Sequence, residues 1–270
     1  MKFVDVHCHI YHDIFKDNFK EVLQKAEKAG VQAIVISGVN HPSNEKVLEL
    51  SEKYPILKAS LGIYPIDALG LLEGETGLPR QTEKIDIEKE LEFIEKHKDK
   101  IVSIGEIGMD FHWASKEETY KQQAKNFRKV IRFAKKIGKT IVIHSRKAER
   151  ECLDILKEEL PNNEIPIVNH CFSGRKSLIK EAAELGYYFS VPAVINKLQH
   201  FQTLVELVDL KQLLTETDAP WLSPFPGKPN EPAYIPEAVK KIAEIKGLSE
   251  TEVAKQVWKN YQKVFTLNRP

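Results

Sequence analysis

The chain is poor in cysteine, with three residues in 270: Cys8, Cys152 and Cys171. So sparse and odd a set argues against a disulfide framework and makes a reducing compartment the expectation. No apolar run is long enough to cross a bilayer. The first residues carry Asp5, His7 and His9 where a secretory leader would have a basic start and an apolar stretch. A cytoplasmic location with no membrane partner is therefore expected. Net charge is almost absent too, since 40 Lys and Arg against 39 Asp and Glu leave +1. Whole-chain electrostatics thus suggests no nucleic-acid partner, although a local basic rim around a site can still attract phosphate. Internal repeats, linkers and low-complexity tracts are also missing. What the chain does have is 42% hydrophobic residues, sufficient for a sizeable core. Its length suits one large α/β barrel or two small domains.

Short β-branched runs alternate with Lys/Glu-rich amphipathic stretches, the pattern of a parallel sheet. Eight runs are found, at 3–10, 31–37, 56–62, 101–106, 140–144, 165–170, 187–191 and 213–217. Helix candidates lie at 18–30, 86–100, 117–138, 177–186 and 198–209, several ending in a glycine suited to a C-terminal cap. Two more follow between 235 and 265, the second opened by Ser249 with Glu252 three residues on. This pattern predicts a (β/α)8 TIM barrel over residues 1–270 as one domain, with C-terminal helices at 235–265. A doubly wound open sheet is the alternative. Stretches 65–82 and 219–233 read as long loops, which inside a compact domain are often functional.

In FVDVHCHI at 3–10, strand alternation puts Asp5, His7 and His9 on one face and Val4, Val6, Cys8 and Ile10 on the other. In a barrel the first set faces inward, where two imidazoles at the strand's C-terminal end can share an ion. Taken alone, the pair reads better as hydrogen-bonded core histidines. The other unusual polar residues change that balance, because they also end strands: Glu106, His144, His170 and Asp218. An ionisable group at the end of an apolar strand needs a partner to offset its desolvation, and a divalent cation serves several at once. Six such residues on five strands point to a metal site at the barrel mouth. Cys8 and Cys171 directly follow ligand candidates, but alternation turns them away, so both read as core residues.

With DVHCHI at 5–10, GEIGMDF at 105–111, IVIHSRKAE at 141–149, NHCFSG at 169–174, ETDAPWL at 216–222 and NEPAYI at 230–235, the chain resembles the TatD-type metal-dependent hydrolases of the amidohydrolase-like barrels. The resemblance implies a deoxyribonuclease or exonuclease acting on single-stranded DNA ends, with two divalent ions drawn from Mg, Mn or Zn. It implies that His7, His9 and Asp218 hold one ion, His144 and His170 the second, and Glu106 bridges them. A carboxylate has one oxygen for each ion, and Asp218 can take a proton from the attacking water. Arg146, Ser145 and Ser173 are the candidate phosphate contacts, and Glu216 is a candidate to orient a ligand histidine. Tyr64, which can donate to phosphate or stack on a base, and Asn230 and Glu231 complete the substrate-binding candidates. Two departures from the family pattern bear on substrate: Tyr64 stands where relatives commonly have histidine, and Pro229 where an arginine commonly precedes Asn-Glu-Pro. Hydrolysis of another ester or amide, such as D-aminoacyl-tRNA, a small phosphoester or a cyclic amide, is the alternative activity.

Overall fold

The β-branched runs fold as eight strands among the described residues, which are 1–71, 77–79 and 83–265 of this computed structural model. They are β1 Phe3–Cys8, β2 Val31–Ser37, β3 Leu57–Ile63, β4 Ile101–Gly108, β5 Thr140–His144, β6 Ile167–Asn169, β7 Tyr188–Pro192 and β8 Leu213–Glu216. Every neighbouring pair is parallel and the sheet order follows the chain, β1 to β8. The returning helices are α1 Phe19–Lys28, α2 His41–Lys53, α3 Pro65–Leu69, α4 Ile87–Lys96, α5 Lys116–Ile137, α6 Glu149–Glu159, α7 Lys176–Glu184 and α8 Gln199–Leu207. Helices α9 Ile235–Lys246 and α10 Glu250–Val264 follow the last strand. An order that never reverses excludes the doubly wound sheet and makes this a (β/α)8 barrel.

The reason the strands read as nearly unbroken apolar runs is visible in their burial: β1, β4, β7 and β8 are buried at every position. Helices cover one face and barrel-filling side chains the other. Each helix buries a stripe. Helix α5 turns Ala124, Phe127, Val130, Ile131 and Ala134 inward at spacings of three and four, and Gly138 ends it in the left-handed conformation with φ 67°. The opposite faces carry the charge, much of it paired between adjacent helices. Arg132 forks onto Glu159 at 2.7 and 2.8 Å, and Arg150 onto Glu181 at 2.6 and 3.1 Å. Such exposed pairs are worth about 0–1 kcal/mol each.

Where β8 meets β1, side chains supplement the backbone. Asp218 N–H donates to the His7 carbonyl at 2.9 Å and His9 N–H to the Ala219 carbonyl at 2.8 Å. Below them the Thr215 hydroxyl donates to the Val4 carbonyl at 2.6 Å. Asp5, fully buried, accepts from the Thr217 N–H at 3.0 Å, from the Thr217 hydroxyl and from the His7 N–H at 3.3 Å. Burial pushes the Asp5 carboxyl up to about 8 in spite of those bonds. Helix α10 packs across the outside of the same joint, against both β1 and β8.

Several boundaries differ from the sequence reading, each for a local reason. Strand β1 stops at Cys8, β6 at Asn169 and β8 at Glu216, so His9, His170 and Asp218 stand on the turns just beyond. Periodicity left α2 and α6 unassigned. Helix α2 depends on its cap instead of its stripe, with Asn40 and Ser43 forming a reciprocal box and a proline in the first turn. The long loop at 65–82 contains α3, while its residues 72–76 and 80–82 lie outside the described residues. The capping box expected at Ser249 and Glu252 is present.

The Asp5→Ala variant leaves two Thr217 donors unpaired inside the seam. At about 1–3 kcal/mol per buried unpaired group, it should lose about 2–6 kcal/mol in urea unfolding, against about 1 kcal/mol for Thr215→Val. An unshifted denaturation midpoint for Asp5→Ala would mean that this carboxyl does not hold β8 to β1.

Candidate metal centre

The C-terminal ends of β1, β4, β5, β6 and β8 bring His7, His9, Glu106, His144, His170 and Asp218 to one spot. His7 Nε2 lies 3.2 Å from His9 Nε2. Both nitrogens stand 3.5 Å from Glu106 Oε2 and 3.7 Å from Asp218 Oδ1. The other Glu106 oxygen faces the opposite half, with Oε1 2.7 Å from His144 Nδ1 and 3.8 Å from His170 Nε2. Donor atoms of His7, His9 and Glu106 form one cluster within 4.8 Å of one another, and those of Glu106, His144 and His170 form a second. Glu106 is common to both. Bringing β4 this close to β3 requires Gly62, where a Cβ would stand 2.2 Å from the Gly38 carbonyl oxygen and 2.3 Å from Glu106 N. Asp218 takes the left-handed conformation, φ 58°, a turn that aspartate tolerates better than most residues.

Each imidazole turns one nitrogen inward and has the other anchored. His7 Nδ1 meets the Ser37 hydroxyl at 3.1 Å, His9 Nδ1 the Tyr11 hydroxyl at 3.1 Å, His144 Nε2 Asp110 Oδ2 at 2.7 Å, and His170 Nδ1 Glu216 Oε2 at 2.7 Å. The Tyr11 hydroxyl donates to the Ser37 carbonyl at 2.7 Å, so it accepts from His9. That places the His9 proton on Nδ1 and leaves Nε2 with a free lone pair, aimed at a second imidazole nitrogen and two carboxylate oxygens. A set of lone pairs converging on one point is what a divalent cation needs, and the outer partners fix ring orientation and basicity. Asp110 is itself locked, its Oδ1 accepting from the His112 and Trp113 N–H groups at 2.7 and 2.8 Å.

Burial sets the protonation pattern. It pushes Asp218 up to about 7, and together with the nearby His170 it lowers His7 to about 4. For Glu106 burial works upward, but bonds from His144, His7 and His9 outweigh it and hold the carboxyl well below its usual range. Burial opposes charge on His144 and His170 as well. Asp110 and Glu106 nevertheless raise the first to about 9, and Glu216 raises the second to about 10. Cation binding here must displace protons, so it weakens as pH falls.

Above these groups opens a cavity of about 670 Å³, within the usual size of a ligand site. Of the substrate-binding candidates, Tyr64, Ser145, Arg146 and Ser173 line it. The Arg146 guanidinium lies 5.6 Å over the Trp113 ring, and the Ser173 hydroxyl donates to Glu149 at 2.7 Å. Tyr64 sets its ring edge-on to His144 at 5.0 Å and its hydroxyl 3.4 Å from Asp110. Asn230 and Glu231 are placed elsewhere. Asn230 is fully buried and spends its amide on the Thr217 and Leu222 carbonyls, at 2.7 and 3.2 Å, while Glu231 faces Lys25 at 3.9 Å. Neither lines the cavity. Cys8 is buried as expected, but Cys171 lines the cavity, because β6 has ended and the alternation with it; its φ is 44°.

Sequence reasoning missed Ser37, Tyr11 and Asp110. Ser37 ends β2, so the strand-end rule extended from ionisable to any polar residue would have found it. Asp110 lies inside GEIGMDF, two residues past its strand, and Tyr11 carried no signal.

The family model described as TatD related DNase matches residues 4–266. A protein of Methanocaldococcus jannaschii described as an uncharacterized metal-dependent hydrolase is 37% identical over 265 residues, covering 98% of this chain and 97% of its own. The deoxyribonuclease TATDN3 of Homo sapiens is 33% identical over 269 residues, covering 97% and 94%. Among solved structures, the TatD homologue YJJV of Escherichia coli K12 superposes with a TM-score of 0.83 at 27% identity, covering 99% of this chain and 98% of that one.

Asp110→Asn keeps one oxygen for the two N–H groups but can turn an amide against His144 Nε2, forcing the proton onto Nδ1. Divalent-cation affinity, read by calorimetry, should fall about 10–100-fold. A change below about threefold would show that Asp110 does not set the His144 tautomer.

Proposed function

The chain belongs to the TatD related DNase family of metal-dependent hydrolases, and from that premise we propose that it is a deoxyribonuclease hydrolysing phosphodiester bonds at single-stranded DNA ends. The whole of 1–270 acts as one catalytic domain. His7, His9 and Asp218 would hold one divalent cation and His144 and His170 a second, with Glu106 available to both. The observation that carries this reading is the division of Glu106, one oxygen 3.5 Å from His7 and His9 and the other 2.7 Å from His144. The imidazoles suit zinc or manganese, and the carboxylates magnesium.

When bound, the cations offset charge developing on the phosphodiester oxygens and acidify the attacking water. The protein's own groups do the rest. Asp218, raised by burial to about 7 before a cation binds and held lower once one does, is ionised under neutral conditions and takes the proton of that water. Glu106 stays ionised through its imidazole bonds and accepts no proton. Arg146, whose guanidinium lies over the Trp113 ring, presents a planar fork to the phosphate. Ser145 offers a hydroxyl donor on the same side, Ser173 can do so once its proton leaves Glu149, and Tyr64 offers a stacking ring.

The test is hydrolysis of end-labelled single-stranded DNA by metal-stripped protein, with magnesium, manganese or zinc restored in turn. Shortening from one end should appear only with metal, and Asp218→Asn should lower kcat about 10²–10⁴-fold with an unchanged circular dichroism spectrum. The base acts deprotonated, so activity is kept at high pH and lost as pH falls. Because a cation favours the carboxylate, that acidic limb should lie below about 7. DNA left intact with every metal, alongside cleavage of D-aminoacyl-tRNA, a phosphomonoester or a cyclic amide, would keep the metal centre and overturn the substrate.

A further inference from the structure

The cavity wall is chemically divided by direction. Because the strands run round the barrel in chain order, each lining residue can be placed by the strand it follows. Ser145, Arg146, Ser173 and Lys197 follow β5, β6 and β7, and they are all the serines, lysines and arginines of the wall among the described residues. Trp221 and Leu222 follow β8, Val39 follows β2, and Tyr64 and Leu78 follow β3. Leu198 and Phe201 are the apolar members of the cationic arc. One side of the mouth therefore suits a polyanion and the other a flat apolar group.

The two cations of that arc differ. Arg146 is held over the Trp113 ring at 5.6 Å. Lys197 is exposed at the end of the turn Ala193–Asn196, and its ammonium makes no hydrogen bond or ion pair among the described residues. The backbone beside it is tied down, with Lys197 N–H on the Val194 carbonyl at 2.8 Å and His200 Nε2 2.9 Å from the Phe172 carbonyl oxygen. A mobile point charge thus stands on a fixed base at the cavity edge, two strands round from Arg146.

We propose that Lys197 holds the backbone phosphate next to the scissile one, so that a DNA strand lies along the β5–β7 arc with its terminal base against Trp221, Leu222 and Tyr64. The proposal rests on the nuclease reading above. A rigid guanidinium fork suits the phosphate that reacts and must be oriented, whereas a compact ammonium on a four-carbon stem follows a neighbouring phosphate whose position varies with the base between them. Aromatic and apolar surface accepts any base by its face, which needs no sequence preference.

The experiment compares an oligonucleotide with bis(p-nitrophenyl) phosphate, a diester that has no neighbouring phosphate, using metal-loaded protein. For Lys197→Ala, the ratio of kcat/KM on the oligonucleotide to that on the small diester should fall about tenfold, mostly through KM, and Lys197→Arg should restore most of it. The slope of log KM against log salt should decrease by about one. Lys211→Ala, on the turn that leads into β8 at the far end of the barrel, should leave both substrates unaffected. An unchanged ratio, or a changed ratio with an unchanged salt slope, overturns the role of Lys197 while the nuclease reading stands. Wild-type protein that cleaves the small diester but no oligonucleotide overturns both.

Discussion

Glu106 is 5% exposed and surrounded by imidazoles, with four histidines reaching its two oxygens between 2.7 and 3.8 Å. A carboxylate so deeply withdrawn from water is costly unless every lone pair finds a donor or a cation. The surrounding construction meets that requirement. Glycine at 62 lets β4 approach, β1 contributes two rings from one face, and β5 and β6 contribute one each. The result is a single charge whose two oxygens address two clusters of candidate ligand atoms.

Around that charge, each ring is oriented from behind. Ser37, Tyr11, Asp110 and Glu216 hold the outward nitrogens, and the backbone of β8 and β1 is joined below by Asp5 and two threonines. Rigid support of this kind keeps inward lone pairs aimed at fixed points, which is what lets a site bind a cation without paying to assemble itself first. The loops above have a different task. They divide the mouth into a cationic arc and an apolar arc, and the near-zero net charge of the chain conceals this local asymmetry, because charges of both signs elsewhere balance in the total.

The eight strands were legible because parallel strands buried on both faces need unbroken apolar runs, and the long helices because a one-sided burial repeats every three to four residues. Helix α2 was not, since its start rests on the Asn40 and Ser43 cap more than on a stripe. The ligand candidates were legible because an ionisable residue at the end of an apolar strand is conspicuous in one dimension. Alternation served while a strand lasted and failed where it stopped, which is why Cys171 was assigned to the core and yet lines the cavity.

By itself, then, the sequence determined the barrel and the residue types at its mouth, for both follow from hydrophobic pattern and from chemistry written at fixed positions along the chain. Tertiary structure alone decided which side of each ring faces inward, that Asn230 spends its amide under the site and Glu231 turns to Lys25, and that Asp110, Tyr11 and Ser37 stand behind the histidines. Those outcomes depend on hydrogen bonds between segments as many as 46 residues apart, as from His170 to Glu216. Distances across a closed barrel are not encoded in any local stretch, and only the folded chain brings such partners within reach.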